Sequence, residues 1–256
     1  MKILSEEKYN EVVENGYTTV SNAISKDLAA NLRSRLADLV QTQRKNQTEQ
    51  TASDDYMVHN PMFLDSAFMD LLEHPSVVEV FDAFLSSTSI IYACTTSSMP
   101  AGSSNYSGRI HVDSPRIIPN YFSKIAVIIA LDDFTEANGA TYVLPRSHTL
   151  EIPPTDSYFY ENAQRLKIKA GDFAIFDPRT WHCGGVNRSD TDRHAFTISG
   201  CRSFMRQRFD YPRFIDDASE LSPTLRRLLG FNVRVPASLQ EYYLPAEERL
   251  YKPNQG

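Results

Sequence analysis

Residues 109–115 read RIHVDSP and place an imidazole and a carboxylate two positions apart in an apolar, β-prone stretch. In a β-strand, side chains at positions i and i+2 point to the same face. His111 and Asp113 would therefore project together, while Ile110 and Val112 pack on the other side. One imidazole and one carboxylate are two of the three ligands of the 2-His-1-carboxylate triad, which binds Fe(II) and leaves coordination positions open. Alone, the spacing also suits a hydrogen-bonded surface pair, so the metal hypothesis needs a second histidine.

The second candidate ligand is His182, which follows the strand-like run FAIF at residues 173–176. It precedes a pair of glycines at 184 and 185, where backbone can approach a ligand closely. Arg193 then enters the next predicted strand, and a planar guanidinium suits a carboxylate that accepts two parallel hydrogen bonds. A cofactor with a keto acid that chelates iron and a second carboxylate at its far end would need such an arginine.

The predicted secondary structure of the rest of the chain changes from helices to strands near residue 88. Before it, Ser5 and Ser25 are N-cap candidates for helices that end near Asn15 and Lys45, and Pro75 opens a further helix. After it, many short β-prone runs with Gly, Pro and Asn between them predict a sandwich or jelly roll. The runs lie at 89–96, 110–113, 124–131, 140–144, 166–169, 173–176 and 195–204.

These elements predict one domain over residues 1–256. It would have a helical N-terminal part at about 1–87, a β core at about 88–205 and a helical and extended tail at about 206–256. The helix of the tail is expected near 216–230.

The composition of the chain excludes several classes of protein. The chain has 256 residues, 41% hydrophobic and 23% charged, which is typical of a globular protein. A net charge of −6 argues against nucleic-acid binding, and no apolar run is long enough to span a membrane. Three cysteines without CxxC spacing argue against a disulfide framework or a zinc ribbon, and the N-terminus lacks a signal-peptide pattern. We therefore expect a soluble cytoplasmic protein, monomeric or homodimeric, that acts on a small molecule.

Several stretches occur in a fixed order along the chain. They are NGYTTV at 15–20 with a leucine-rich helix after it, HVDS at 111–114, LDDF at 131–134, NGA at 138–140, LPRSH at 144–148, AGD at 170–172, and then His182, Asn187 and Arg193. Together they resemble the phytanoyl-CoA dioxygenase family of Fe(II)- and 2-oxoglutarate-dependent oxygenases, over about residues 11–205. One departure is Arg146, where the family usually has glycine.

The resemblance implies a mainly β fold with flanking helices, namely a double-stranded β-helix (cupin-like jelly roll) with a helical N-terminal part. It implies iron on His111, Asp113 and His182, and Arg193 against the distal carboxylate of 2-oxoglutarate. Ser114 is expected to bind the cofactor too, and Tyr92, Ser98 and Asn105 near the first motif stay open as further candidates to hydrogen-bond 2-oxoglutarate.

The implied activity is that of a 2-oxoglutarate-dependent oxygenase with Fe(II), 2-oxoglutarate and O₂ as cofactors. It would hydroxylate or otherwise oxidise a small metabolite, in specialised-metabolite or amino-acid-derived biosynthesis, and release succinate and CO₂. Halogenating relatives carry Ala or Gly where this chain has Asp113, so oxygenation is expected instead. Two alternatives stay open: a catalytically silent cupin-like binding protein, and an acyl-CoA hydroxylase. No strongly basic run suggests a coenzyme A site, which favours a small free metabolite.

Residues outside these motifs are more ambiguous. Arg116, Arg202 and Arg206 could meet an anionic substrate group, although a surface charge is the commoner role of an arginine. Residues 149–165 and 206–256 lie outside the strong match and are expected to be lid or substrate-side elements. The Trp181 side chain either lines the pocket or packs in the hydrophobic core. Cys183 is expected to pack away from the site, and His148 to bond backbone.

Overall fold

A computed structural model of the protein describes residues 2–49 and 54–252. The helices are α1 Glu6–Asn15, α2 Lys26–Lys45, α3 Ser66–Leu72, α4 Pro75–Leu85, α5 Asp156–Asn162, α6 Tyr211–Phe214, α7 Pro223–Leu228 and α8 Leu239–Tyr242. The strands are β1 Tyr17–Val20, β2 Ile90–Met99, β3 Lys124–Ala130, β4 Tyr142–Val143, β5 Gln164–Arg165, β6 Phe173–Phe176, β7 His182–Cys183 and β8 Arg193–Cys201. No helix in the described part of the chain combines the length and apolar character that crossing a bilayer requires.

The strands form two antiparallel sheets. The major sheet has the order β1-β6-β3-β8-β2, and the minor sheet has the order β5-β4-β7. His111 forms a single antiparallel bridge to His182, which adds one residue to the edge of the minor sheet beside β7. Two sheets with helices outside confirm the expected mainly β, cupin-like jelly roll with flanking helices.

The major sheet separates a helical layer from the interior of the jelly roll. Leu32 and Leu36 of α2 and Phe81 of α4 belong to one apolar cluster with Val127 of β3 and Ile198 of β8. Because side chains alternate along a strand, the neighbouring positions face the other way. Ala126, Ile128 and Ala130 of β3 accordingly belong to a second cluster on the inner side of the sheet.

The helix boundaries follow from caps that were recognisable in the sequence. The Ser5 side chain accepts a hydrogen bond from the Lys8 amide, and Gly16 ends α1 in a left-handed conformation with φ of 85°. Ser25 caps α2 in the same way, and Pro75 occupies the first turn of α4. The two serine side chains accept hydrogen bonds from first-turn amides that have no partner within the helix.

The predicted strand over 110–113 is wrong. Only His111 pairs there, as the single bridge to His182. The amides of Asp113 and Ser114 both donate to the carbonyl of Pro178, at 2.8 and 3.0 Å, and Pro115 has no amide to extend a ladder. The chain therefore turns away from the sheet directly after the carboxylate.

Two other predicted elements differ from the structure. The short strand expected at 166–169 lies earlier, at Gln164–Arg165, where it pairs with β4. The long helix expected near 216–230 is the six-residue α7, which begins at Pro223 and ends at Leu228. Proline at the first helical position marks the start because its missing amide would be unsatisfied there in any case.

Gly139 is required by its surroundings. Its φ is +78°, and a Cβ at this position would collide with the carbonyl oxygen of Gly185. Gly102 is a matched control, since its φ is +66° but no neighbouring atom lies within 4 Å of the place that a Cβ would take. Gly102→Ala should lower the free energy of unfolding by about 1–2 kcal/mol, the cost of a left-handed alanine. Gly139→Ala should lower it by roughly a further 1–3 kcal/mol because it also overpacks the turn.

Urea denaturation of both variants, followed by circular dichroism, measures this difference. Equal midpoints for Gly139→Ala and Gly102→Ala would contradict the close approach of the turn at Gly139 to Gly185.

Candidate metal centre and cofactor pocket

The backbone places the two candidate histidines side by side. The amide of His111 donates to the carbonyl of His182 and the amide of His182 donates to the carbonyl of His111, both at 3.0 Å. The ring centroids are 4.3 Å apart. Asp113 follows His111 after one residue. The backbone amide of Asp113 donates a hydrogen bond to the Pro178 carbonyl, and this bond fixes the turn that carries the carboxylate.

Both imidazole rings are oriented by the same kind of hydrogen bond. Nδ1 of His111 bonds the Arg109 carbonyl at 2.7 Å, and Nδ1 of His182 bonds the Thr180 carbonyl at 2.9 Å. Because a carbonyl only accepts, each Nδ1 carries the proton, which leaves the lone pair on Nε2 of a neutral ring. Such bonds orient histidines that ligate metals.

The three side chains present their ligand atoms to one point. Nε2 of His111 lies 3.6 Å from Oδ1 of Asp113, and Nε2 of His182 lies 4.0 Å from the same oxygen. All three ligand atoms lie within 4.8 Å of one another. Nitrogen and carboxylate ligands sit about 2.1 Å from a first-row divalent ion such as zinc, so the ligand atoms of one ion are at most about 4.2 Å apart. Both His–Asp distances lie within this limit, and the 4.8 Å bound exceeds it by only about 0.6 Å, a gap that a small rotation of a side chain would close. The donor set therefore fits a divalent metal.

The protonation states of Asp113 and His182 suit a cation, whereas His111 would release a proton when a metal binds. Burial works against ionisation of Asp113, but the His111 hydrogen bond and the nearby imidazoles outweigh it and hold the pKa of the carboxyl below its usual value. Burial lowers the pKa of His182. Burial also disfavours charge on His111, yet its bonds to Asp113 and to the Arg109 carbonyl prevail and raise its pKa. An ionised carboxylate and a neutral imidazole are the forms that bind metal.

A cavity of about 290 Å³ lies between the sheets and contains the triad. Arg193, at the start of β8, lines the same cavity and is only 3% exposed. Its Nη2 donates to the Gly139 carbonyl at 3.2 Å, and its guanidinium lies 4.0 Å from the centroid of the Phe134 ring. Burial lowers the pKa of Arg193 to about 10.

The guanidinium of Arg193 is incompletely satisfied. Its Nε has no hydrogen-bond partner, and among residues 2–49 and 54–252 no carboxylate forms an ion pair with it. A buried charge without a partner is costly, so its presence indicates a site for an anion.

Four of the five predicted site residues line this one cavity: His111, Asp113, His182 and Arg193. Ser114 is not brought to it. Its amide is bonded to Pro178, and it lines a small separate depression with Arg116 and Lys124. The turn after Asp113 directs consecutive side chains to different sides, which the simple i, i+2 pattern did not anticipate.

The remaining polar residues near the first motif divide in the same way. Tyr92 lines the cavity. Ser98 faces away from it and bonds Nδ1 of His194 at 2.6 Å. Asn105 caps the turn that follows β2, where its side chain accepts from the Ser107 amide.

Residues flanking the motifs have structural contacts. His148 bonds the Val13 carbonyl through Nε2 at 3.1 Å, which confirms the predicted backbone bond. Cys183 is buried against Leu144 and Phe159, which confirms its packing role, and Trp181 packs on the same cluster. Helix α5 contributes Phe159 to this cluster.

Several hydroxyl groups and one arginine of the cavity were not predicted from the sequence. Thr95, Ser97, Thr141, Thr197 and Ser199 all line the cavity. Polar residues at alternate positions of the predicted strand over 195–204 were a usable signal, because such residues share a face. Nothing in the sequence distinguished the missed arginine, Arg208, which also lines the cavity.

The comparisons with known proteins agree with this geometry. Residues 12–195 match the family model described as phytanoyl-CoA dioxygenase (PhyH). An uncharacterised protein of Mycobacterium tuberculosis is 32% identical over 94% of this chain and 92% of its own length. The dioxygenase FUM3 of Gibberella moniliformis is 31% identical over 45% of this chain and 39% of its own length.

Solved structures share the fold at low sequence identity. AviO1 from Streptomyces viridochromogenes has a TM-score of 0.64 at 18% identity, and covers 78% of this chain and 96% of its own. A non-heme monooxygenase, the ThoJ–nickel complex, has a TM-score of 0.63 at 17% identity, with 78% and 79% covered.

Proposed function

The chain belongs to the phytanoyl-CoA dioxygenase family of oxygenases, and on that premise we propose that it is an Fe(II)- and 2-oxoglutarate-dependent dioxygenase acting on a small metabolite. His111, Asp113 and His182 would hold the iron, and Arg193 would bind the distal carboxylate of 2-oxoglutarate. The observation that carries the proposal is that one cavity contains both three converging ligand atoms and a buried arginine without an anionic partner.

The donor set supports iron. Two imidazoles and one carboxylate with open positions are typical of non-haem Fe(II) oxygenases. The non-heme monooxygenase ThoJ, which shares this fold, forms a complex with nickel, and this supports a metal at this site. When bound, iron and 2-oxoglutarate supply the oxidation: O₂ and 2-oxoglutarate are consumed, succinate and CO₂ are released and the substrate is oxidised.

The protein's own residues position the reactants. The Arg109 and Thr180 carbonyls hold the two Nε2 atoms toward the metal position. The Gly139 carbonyl and the Phe134 ring fix the plane of the Arg193 guanidinium, so a carboxylate that docks there has a defined direction. Ile128, Phe176 and Ala195 line the cavity with apolar surface, which would limit the water around a bound metal.

Asp113 determines the expected reaction type. A halide would need an empty metal position, and with iron bound the Asp113 carboxylate would take that position and would add negative charge beside it. In turnover with ¹⁸O₂ and high chloride, one labelled atom should enter succinate, and a hydroxylated product should carry the other. Mass spectrometry should detect no chlorinated product. Asp113→Gly should mainly lose metal affinity, because the surroundings of the ligand are not built for chloride.

A chlorinated product from the unchanged protein would contradict this role of Asp113. A desaturated or cyclised product without added oxygen would retain the iron chemistry and replace hydroxylation by another oxidation.

The substrate can be found by measuring succinate. A metabolite library should contain compounds that raise succinate formation above the substrate-free rate in aerobic protein with Fe(II) and 2-oxoglutarate. A protein that binds library compounds but never forms succinate would instead be a silent binding protein of the same fold.

A further inference from the structure

The inner face of the major sheet forms one wall of the cavity. Along β8, Arg193, Ala195, Thr197 and Ser199 alternate onto this face, and three of the four carry small side chains. Their partners on β2 are Met99, Ser97, Thr95 and Ala93. At about 3.3 Å per residue, the Arg193 and Ser199 backbones lie roughly 20 Å apart. Arg193 therefore marks one end of a long wall.

Two more cations lie at or beside the other end of the wall. Lys124 lines the neighbouring depression that contains Ser114, and its Nζ lies 3.5 Å from the centroid of the ring of Tyr92, which lines the cavity. Arg208 also lines the cavity, and its amide donates to the Tyr92 carbonyl at 2.9 Å. That bond anchors the backbone from which the Arg208 side chain reaches the cavity.

The charges at this end are not balanced by the protein. In the described part of the chain, neither Lys124 nor Arg208 forms an ion pair with a carboxylate, although the whole chain has a net charge of −6. Asp113 is the only acid that lines the cavity among the described residues, and the proposed metal would take it. Arg208 is exposed and can be reached from solvent, and with Arg193 assigned to 2-oxoglutarate it is the lining cation left to meet an anion that enters the cavity.

The wall between the two ends is polar. The side chains of Thr197 and Ser199 are partly exposed to the cavity. An aliphatic chain laid over these hydroxyls would remove them from water without replacing their hydrogen bonds, which is unfavourable. A polar molecule would satisfy them, and a volume of about 290 Å³ suits a small one.

We propose that the substrate is a small polar anion whose carboxylate or phosphate binds Arg208, with Lys124 strengthening the attraction and Thr197 and Ser199 facing its polar body. Arg208 is thus a specificity-determining residue. The inference rests on the proposed function, because it assigns Arg193 to 2-oxoglutarate and leaves Arg208 for the substrate. Arg208 is not among the arginines considered from sequence, which were Arg116, Arg202 and Arg206. Of these, Arg202 donates to the Phe122 and Phe84 carbonyls, at 3.1 and 3.3 Å.

The test uses acetate and inorganic phosphate as probes in anaerobic protein saturated with Fe(II) and 2-oxoglutarate. Calorimetric titration should show saturable binding of at least one anion, and the two probes distinguish a carboxylate from a phosphate substrate. Neutral acetamide should not bind. Arg208→Gln should weaken anion binding about 10- to 100-fold, the range for a charged hydrogen bond. Arg206→Gln, an exposed arginine outside the cavity, should change it less than about twofold.

The outcomes separate this inference from the proposed function. Binding of 2-oxoglutarate is measured in the same samples, and its absence would remove the proposed function alone. The anions would then be titrated into Arg193→Leu, in which Arg208 is the remaining lining guanidinium, and loss of binding on adding Arg208→Gln would still support the anion site. Equal affinity with and without Arg208, no saturable binding of either anion, or equal binding of acetamide would overturn it.

Discussion

Replacing His182 by alanine should lower Fe(II) affinity more than about 100-fold and abolish turnover, while the fold persists. Changes to groups that merely orient a ligand already cost about 10- to 100-fold in metal affinity, and His182 would be a ligand itself. Its ring makes one hydrogen bond, from Nδ1 to the Thr180 carbonyl, so the loss to the fold is modest. Anaerobic competition with a metal chelator measures the affinity, and circular dichroism checks the fold. His111→Ala should behave in the same way.

A histidine outside the site provides the control. His59 is exposed and lies 3.5 Å from Asp54, away from the triad. His59→Ala should bind Fe(II) as the unchanged protein does. Normal Fe(II) affinity in folded His182→Ala would remove His182 from the metal site.

The second large effect concerns 2-oxoglutarate. Arg193→Leu should weaken its binding by about 2–5 kcal/mol, or roughly 30- to several-thousand-fold, because a buried charged hydrogen-bond pair loses one partner. Metal affinity should remain within a few-fold, since among the described residues Arg193 forms no hydrogen bond or ion pair with the triad and instead contacts Gly139 and Phe134. Arg193→Lys should restore only part of the affinity, because an ammonium lacks the planar pair of donors. Titration of 2-oxoglutarate into the metal-loaded protein gives these affinities.

Arg188→Leu is the matched control, since Arg188 is an exposed arginine before the same strand and does not line the cavity. Unchanged 2-oxoglutarate affinity in Arg193→Leu would assign the carboxylate to another cation. Arg165 is a weak substitute, because its guanidinium already bonds the Ala140 carbonyl at 2.7 Å and the Tyr142 hydroxyl at 2.6 Å.

Local chemistry made part of the structure predictable. Serine and glycine at Ser5 and Gly16 marked the ends of α1 because capping depends on a few adjacent residues. The almost continuously apolar run over residues 124–131 predicted a strand, and β3 does form there, with both of its faces packed. The positions of His111, Asp113, His182 and Arg193 in one cavity were expected from residue types whose chemistry is narrow together with the family resemblance.

Other features depend on contacts that the sequence does not display. The turn after Asp113 results from two amides sharing the Pro178 carbonyl, a partner more than sixty residues away, and it carries Ser114 out of the cavity. Arg202, Arg206 and Arg208 look alike in the sequence. Only the bond between the Arg208 amide and Tyr92 gives one of them a place at the cavity.

The central claim is that the triad and Arg193 together bind iron and 2-oxoglutarate. It is tested most directly by adding 2-oxoglutarate to the anaerobic Fe(II) protein and recording the visible spectrum. We predict a weak charge-transfer band, typical of a keto acid bound through two atoms to iron, that saturates at one equivalent, disappears in His182→Ala and needs far more 2-oxoglutarate in Arg193→Leu. Tight Fe(II) binding without any such band at saturating 2-oxoglutarate would contradict the claim.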